Sequence, residues 1–153
     1  ADNHFHVPVT KPYIFLSPFS SGKLLHKRWP YYKELIELLK LEYPQYEIVV
    51  APGPSEIENA KLLNVNVMLD SEKATNFSQL TKIIQDSVFV VSNDTGPAHM
   101  AAHLGCKGLV LFGSHTTAKK ESIETKLFNA YQVEDLKQLS AETVMKQIKK
   151  ILK

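Results

Sequence analysis

The residues best suited to chemistry are Asn93-Asp94-Thr95-Gly96-Pro97. Asp94 and Thr95 are of the types that cap helix starts, Gly96 lets a ligand approach the backbone, and Pro97 fits a first helical position. The first N–H groups of a helix have no partner inside it, and the helix dipole adds partial positive charge there. Such a turn suits an anion, a phosphate above all. The competing reading is that Asp94 or Thr95 simply caps the helix. A second stretch, SPFSSGKLLHKRW over 17–29, is polar, serine-rich and basic. Its Lys23, Lys27 and Arg28 are either phosphate partners or a solvated basic loop. A third, Pro52-Gly53-Pro54-Ser55-Glu56, sets a carboxylate at a strand end. Glu56 there either complements a helix dipole or accepts hydrogen bonds from a sugar hydroxyl. The chain has neither G-x-x-x-x-G-K-S/T nor G-x-G-x-x-G.

The elements that position these residues follow from hydrophobic periodicity. Val88-Phe89-Val90-Val91 and Leu109-Val110-Leu111-Phe112 are short apolar runs suited to buried parallel strands. Between them a helix is expected over 97–104, ended by Gly105. Earlier strands are expected over 13–16, 46–51 and 65–69, with a last short strand over 127–131. Pro30 opens a helix with Leu35, Ile36, Leu38 and Leu39 inward, and Ser55 is expected to cap a short helix reaching about 63. Asn76 and Gln79 form a capping box for a helix over 77–85. Ser140 caps a final helix with Val144, Ile148, Ile151 and Leu152 inward. Its Lys146, Lys149, Lys150 and Lys153 face water or an anionic surface. This alternation predicts an α/β fold, a Rossmann-like, doubly wound, mostly parallel sheet. In the strand order 3-2-1-4-5-6, ligands bind beyond the carboxyl ends of the first and fourth strands. The loops 17–29 and 92–97 then converge, flanked by 52–56 and 113–117. Lys27 and the Thr95-Gly96 turn are expected to share one anionic ligand, a phosphorylated nucleotide.

Composition narrows the function classes. A chain of 153 residues suits one domain, and 44% hydrophobic and 22% charged residues suit a soluble globular one. A net charge of +2 gives no reason to expect nucleic-acid binding. No apolar stretch approaches the roughly 20 residues that span a bilayer, and no signal peptide is expected. A single cysteine, Cys106, fits a reducing compartment and reads as a buried, inert thiol. No metal is expected. Asp70-Ser71-Glu72 resembles an acidic metal motif only superficially and reads as a solvated loop. Residues 1–11, with His4 and His6, read as a linker or frayed start, leaving 12–153 as the domain.

The motifs also resemble those of a known family. Asp94-Thr95-Gly96-Pro97-Ala98-His99-Met100-Ala101-Ala102, followed by Leu109 to Gly113, resembles the D-T-G-x-x-H-x-A-A…F-G signature of glycosyltransferase family 9, the ADP-heptose:lipopolysaccharide heptosyltransferases. Lys27-Arg28-Trp29-Pro30 is similar to that family's K-R-W-P, and Pro52-Gly53-Pro54-Ser55-Glu56 to its G-G-P-x-E, with Ala51 where a glycine is usual. Lys107 stands where the family has a proline, and Ser114-His115 replaces a proline before Thr116.

The resemblance implies the C-terminal half of a GT-B enzyme, the donor-binding domain of a two-domain transferase. By it, Lys27, Thr95 and Gly96 would hold the donor diphosphate, while Asp94, His99 and Thr116 would shape the donor site. Glu56 would bind the nucleoside ribose. It implies an ADP-linked nucleotide sugar as substrate, with no other cofactor and no metal. It also implies a lipid-linked saccharide acceptor, an N-terminal acceptor-binding domain or chain that holds the catalytic base, and work at the cytoplasmic face of a bacterial inner membrane. The chemistry would be inverting transfer, with no turnover by this half alone. A stand-alone nucleotide-binding module, or a pseudoenzyme that serves only interaction, is the competing reading. A UDP-sugar transferase is a third.

Overall fold

The structure, a computed structural model, describes residues 11–19, 29–93, 96–113 and 127–152. Six parallel strands form one sheet: β1 (Tyr13–Ser17), β2 (Glu47–Val50), β3 (Asn66–Val67), β4 (Phe89–Asn93), β5 (Gly108–Phe112) and β6 (Phe128–Gln132). Their order is β3-β2-β1-β4-β5-β6, the doubly wound order expected from the alternation of strands and helices. Every residue of β1, β4 and β5 is buried, as a parallel sheet covered on both faces requires.

Among the described residues the helices are α1 (Tyr32–Glu42), α2 (Ile57–Lys61), α3 (Phe77–Gln85), α4 (Gly96–His103) and α5 (Ala141–Leu152). The pleat divides the core between two faces. Ile14, Leu16, Ile48, Val50, Phe89, Val91, Leu109 and Leu111 point to one, where α1, Ala60 of α2, and α5 cover them. Phe15, Val49, Val90, Val110 and Phe112 point to the other, against Ile83 and Ile84 of α3 and Ala98 and Ala101 of α4. The expected inward residues of α1 are buried at Leu35, Ile36 and Leu39 and partly buried at Leu38.

Local signals explain most boundaries. Asn76 and Gln79 make the reciprocal capping box, at 2.8 and 2.9 Å, and α3 starts where they place it. Ser140 Oγ accepts the N–H of Thr143 at 3.1 Å and so caps α5. α4 stops because Gly105 turns left-handed, at φ +76°.

Two expectations need correction. Ser55 does not cap the helix after β2. Pro54 already opens a 3-10 turn, Pro54–Glu56, with Gly53 before it, and no side chain caps either that turn or α2. Proline's fixed φ starts the turn one residue early. β3 is two residues long, not five. It lies at the sheet edge, pairs only with β2, and then leaves for a tight turn at residues 70–73.

Two buried tyrosines set an alkaline limit. Tyr13 donates to the Ile83 carbonyl and Tyr32 to Asn93. Burial raises both hydroxyls well above their ordinary value near 10. They stay neutral in the folded chain and ionise on unfolding. Their contribution is therefore intact below pH 10 and lost as pH rises above it, at up to about 1.4 kcal/mol per pH unit for each tyrosine. Urea midpoints measured from pH 8 to 11 should fall above pH 10, and less steeply in Tyr32→Phe.

Candidate functional site

The sheet winds away from β1 in one direction and from β4 in the other. The chain leaving β1 enters α1 on one face, and the chain leaving β4 enters α4 on the opposite face. Two connections that part in this way leave a crevice between them, beyond the carboxyl ends of the strands. Ser17 and Ser92 pair in register near those ends, and both are buried.

Asn93 ends β4 and is fully buried. Its Oδ1 accepts the backbone N–H of Trp29 at 3.1 Å and the Tyr32 hydroxyl at 3.3 Å. Its Nδ2 donates to the Pro18 carbonyl at 2.9 Å. Pro18 directly follows β1, and Trp29 stands just before α1. One carboxamide thus ties together the end of β4 and both described ends of the β1–α1 connection. Ser92 is buried beside it, with its Oγ donating to the Asn93 carbonyl at 2.7 Å.

Trp29 of the K-R-W-P stretch is a packing anchor. It is 2% exposed, and its indole N–H donates to the Leu139 carbonyl at 2.7 Å. Tyr31 and Tyr32 meet its ring edge-on, with centroids 6.0 and 5.0 Å away. The Tyr31 hydroxyl donates to the Lys137 carbonyl at 2.7 Å. The start of α1 is therefore fixed on one side by Asn93 and on the other by the approach to α5.

The remaining predicted residues fall into two groups. Gly96 is the first residue of α4, so the helix start lies beyond the end of β4 as expected. His99 is exposed on that helix, between the buried Ala98 and Ala101. Glu56 is half-buried and ends the 3-10 turn after β2, with its N–H donating to the Gly53 carbonyl at 3.0 Å. A Cβ on Gly53 would stand 3.3 Å from Glu56 Oε1, so the glycine leaves room for the carboxylate to fold back over the turn. Beyond the second strand is where doubly wound folds commonly place the carboxylate that takes a ribose hydroxyl. Lys27, Asp94, Thr95 and Thr116 lie outside the described residues, as do Lys23, Arg28, His4 and His6.

The Asp70-Ser71-Glu72 stretch is an exposed turn, as expected. Asp70 and Lys73 exchange backbone hydrogen bonds at 2.8 and 3.0 Å around Ser71 and Glu72. Those two residues are left-handed, at φ 51° and 70°. The Asp70 carboxylate accepts from Gln79 Nε2 at 2.9 Å, which joins it to the α3 cap. Among the described residues, no group of three or more His, Cys, Asp or Glu side chains is placed to hold a metal. Cys106 is half-buried, and burial raises its thiol, keeping it protonated and a poor nucleophile. No helix among the described residues is long and apolar enough to cross a membrane.

Sequence reasoning named Asn93 and Trp29 within their motifs without giving either a role, and passed over Tyr32. A signal existed: an amide closing an apolar strand run is buried by its neighbours, and buried amides need partners.

This sheet, with its crevice at the β1–β4 reversal, is the Rossmann-like sheet of the C-terminal half of a GT-B heptosyltransferase. The chain belongs to glycosyltransferase family 9 (heptosyltransferase), whose family model matches residues 1–149. It is similar to E. coli heptosyltransferase WaaC with ADP-2-deoxy-2-fluoro heptose, at 25% identity and a TM-score of 0.77, over 92% of this chain and 43% of that one. The fold is also that of E. coli ADP-heptose lps heptosyltransferase II, at 20% identity and a TM-score of 0.78, over 99% of this chain and 49% of that one. A UDP-GlcNAc 2-epimerase from Methanocaldococcus jannaschii shares the fold at 14% identity and a TM-score of 0.67, over 94% of this chain and 40% of that one. The chain thus spans less than half the length of these structures. No curated protein sequence matches it.

The left-handed turn at residues 70–73 gives a stability prediction. A non-glycine residue held left-handed costs about 1–2 kcal/mol. Glu72→Gly, at φ 70°, relieves much of that cost in the fold while loosening the unfolded chain. Chemical denaturation should show a gain of up to about 1 kcal/mol.

Proposed function

We infer that this chain is the donor-binding half of a heptosyltransferase-like glycosyltransferase. Its ligand is a nucleotide sugar of the ADP-heptose class, and the sugar goes to a lipopolysaccharide-core acceptor. The observation that carries this reading is the reversal of winding between β1 and β4, with Gly96 opening α4 after β4 and Glu56 after β2. The similarity to WaaC, which is described with ADP-2-deoxy-2-fluoro heptose, supports the choice of donor.

In this reading each residue has a physical task. Lys27 neutralises charge on the diphosphate. Thr95 and Gly96 offer backbone N–H groups at the start of α4, where the dipole favours an anion. Asp94, His99 and Thr116 shape the donor site, and Glu56 accepts from the ribose hydroxyls. In the transfer, the acceptor oxygen attacks the anomeric carbon from the face opposite the diphosphate. The bond from that carbon to the phosphate oxygen breaks, and the nucleoside diphosphate leaves with the bonding pair. The acceptor's proton passes to a carboxylate base. Lysine and helix start stabilise the leaving group, the task a metal ion performs in other transferases. The base and the acceptor site belong to an N-terminal half, so this chain alone binds donor without turnover. A lipid-linked acceptor would place the work at the cytoplasmic face of a bacterial inner membrane.

Calorimetric titration with ADP, UDP and GDP tests the reading. Saturable, ADP-selective binding is expected, weakened at least tenfold in Lys27→Ala, because the lysine's charge-assisted contact is lost. Absence of nucleotide binding would overturn the donor-site assignment and favour an interaction module. Equal binding by Lys27→Ala would remove that residue from the site.

A further inference from the structure

We propose that the outer face of α1 and α5 is a homodimer interface, on which a second copy of this chain docks about a two-fold axis. The proposal is independent of the donor-site reading.

The two helices lie side by side on one face of the sheet and run in the same direction. Near their starts, the Trp29 indole N–H donates to the Leu139 carbonyl at 2.7 Å. Near their ends, Lys149 pairs with Glu42 at 2.6 Å. Between them runs a groove of about 350 Å³, lined by Leu38, Leu41 and Met145 among others. Leu41 is 81% exposed, more than any other large apolar side chain among the described residues. Helical spacing sets it opposite Leu35, Ile36 and Leu39, which α1 buries, so it adds nothing to the core. A lone exposed leucine is ordinary. One that lines a groove between two helices, with charges on both sides, calls for a partner.

The charges around this groove are sorted by helix. On α1, Glu34 and Glu37 are exposed on the same side as Leu41. Lys33 and Lys40 fall on the other flank, where Lys40 donates to the Asn64 carbonyl at 2.9 Å. On α5, Lys146 and Lys150 are exposed one turn apart. Glu142 sits in the first turn of α5, where the helix dipole favours it. Among the described residues, none of Glu34, Glu37, Lys146 and Lys150 is in an ion pair. The face is thus acidic along one side, basic along the other and apolar at the seam. That pattern selects its occupant. An anionic membrane or a nucleic acid would meet the basic side and be repelled by the acidic one. A two-fold axis lying in the interface along the helices sets α1 of each copy over α5 of the other. Each acidic flank then meets a basic flank, and Leu41 leaves water for the apolar seam of the other copy. An axis across the helices would set acid on acid. Two helices of about three turns make a small face, below the ~1,200 Å² of total burial found in stable interfaces, so the dimer is a weak one.

Sedimentation equilibrium of the full chain, from about 10 µM to about 1 mM, measures the dimer. Leu41→Glu, Glu37→Lys and Lys146→Glu are compared with wild type, each checked for folding by circular dichroism. All three positions are exposed, and the two lysine–glutamate changes lie away from the helix ends, so the fold tolerates them. Wild type is expected to dimerise reversibly, and more weakly at high salt. Each variant is expected to dimerise about tenfold or more weakly, because every change counts twice across the two-fold axis. The decisive sample is an equimolar mixture of Glu37→Lys and Lys146→Glu. Each variant repels its own copy, but in the mixed dimer both flanks again meet opposite charge. The mixture should form a heterodimer within about threefold of wild-type affinity, the mark of a restored pair. A wild-type chain that stays monomeric across the range, variants that dimerise as wild type does, or a mixture that stays monomeric overturns the proposal. So does a monomeric chain that binds phosphatidylglycerol vesicles, and binds them more tightly as Glu37→Lys, since the face is then a membrane surface.

Discussion

The adjacency of β1 and β4 is the constraint on which the rest of the structure depends. A parallel sheet needs a covering helix after each strand, and the handedness of those crossovers decides which face each helix takes. Once β1 and β4 lie side by side with the chain winding outward from both, α1 and α4 must depart to opposite faces. The gap between them follows from topology and needs no special residues. What does need special residues is fastening the entrance of α1 to its neighbours, and a buried amide, a tryptophan and a tyrosine hydroxyl do so.

The family assignment and the fold agree at different levels of detail. The D-T-G and K-R-W-P stretches fall on the two connections that part at the crevice, so the motif and the topology locate the same place. Trp29 shows that a motif residue need not face a ligand: its ring is packed among tyrosines and its indole N–H is bonded to the backbone near α5. Within one short signature, then, a residue can serve to hold its neighbours in place.

Much of the fold was legible in the sequence because it is written locally. The apolar runs at 88–91 and 109–112, the Asn76–Gln79 box and the Ser140 cap each act within a few residues, and the structure places them within one or two positions of expectation. Errors arose where a neighbour overrode a local preference. Pro54 took the turn start from Ser55, and the sheet edge shortened β3. The part of the site that local reasoning missed is non-local by nature. Three partners of Asn93 among the described residues are 61, 64 and 75 positions away in the chain, and no spacing rule reaches that far.

The bond between the Trp29 indole and the Leu139 carbonyl joins residues 110 positions apart and carries a consequence for folding order. The entrance to α1 belongs to the first elements of the chain, yet one of its supports comes from the approach to the last. As the chain leaves the ribosome, β1, α1 and β4 are all synthesised before that support exists. The wall of the crevice that α1 forms is therefore completed late, after the sheet beneath it. Long-range closure of this sort raises contact order and slows folding relative to a chain whose contacts are local. For a nascent protein this means that the entrance of α1 gains its last hydrogen-bonded support only when the segment at Leu139 has reached it.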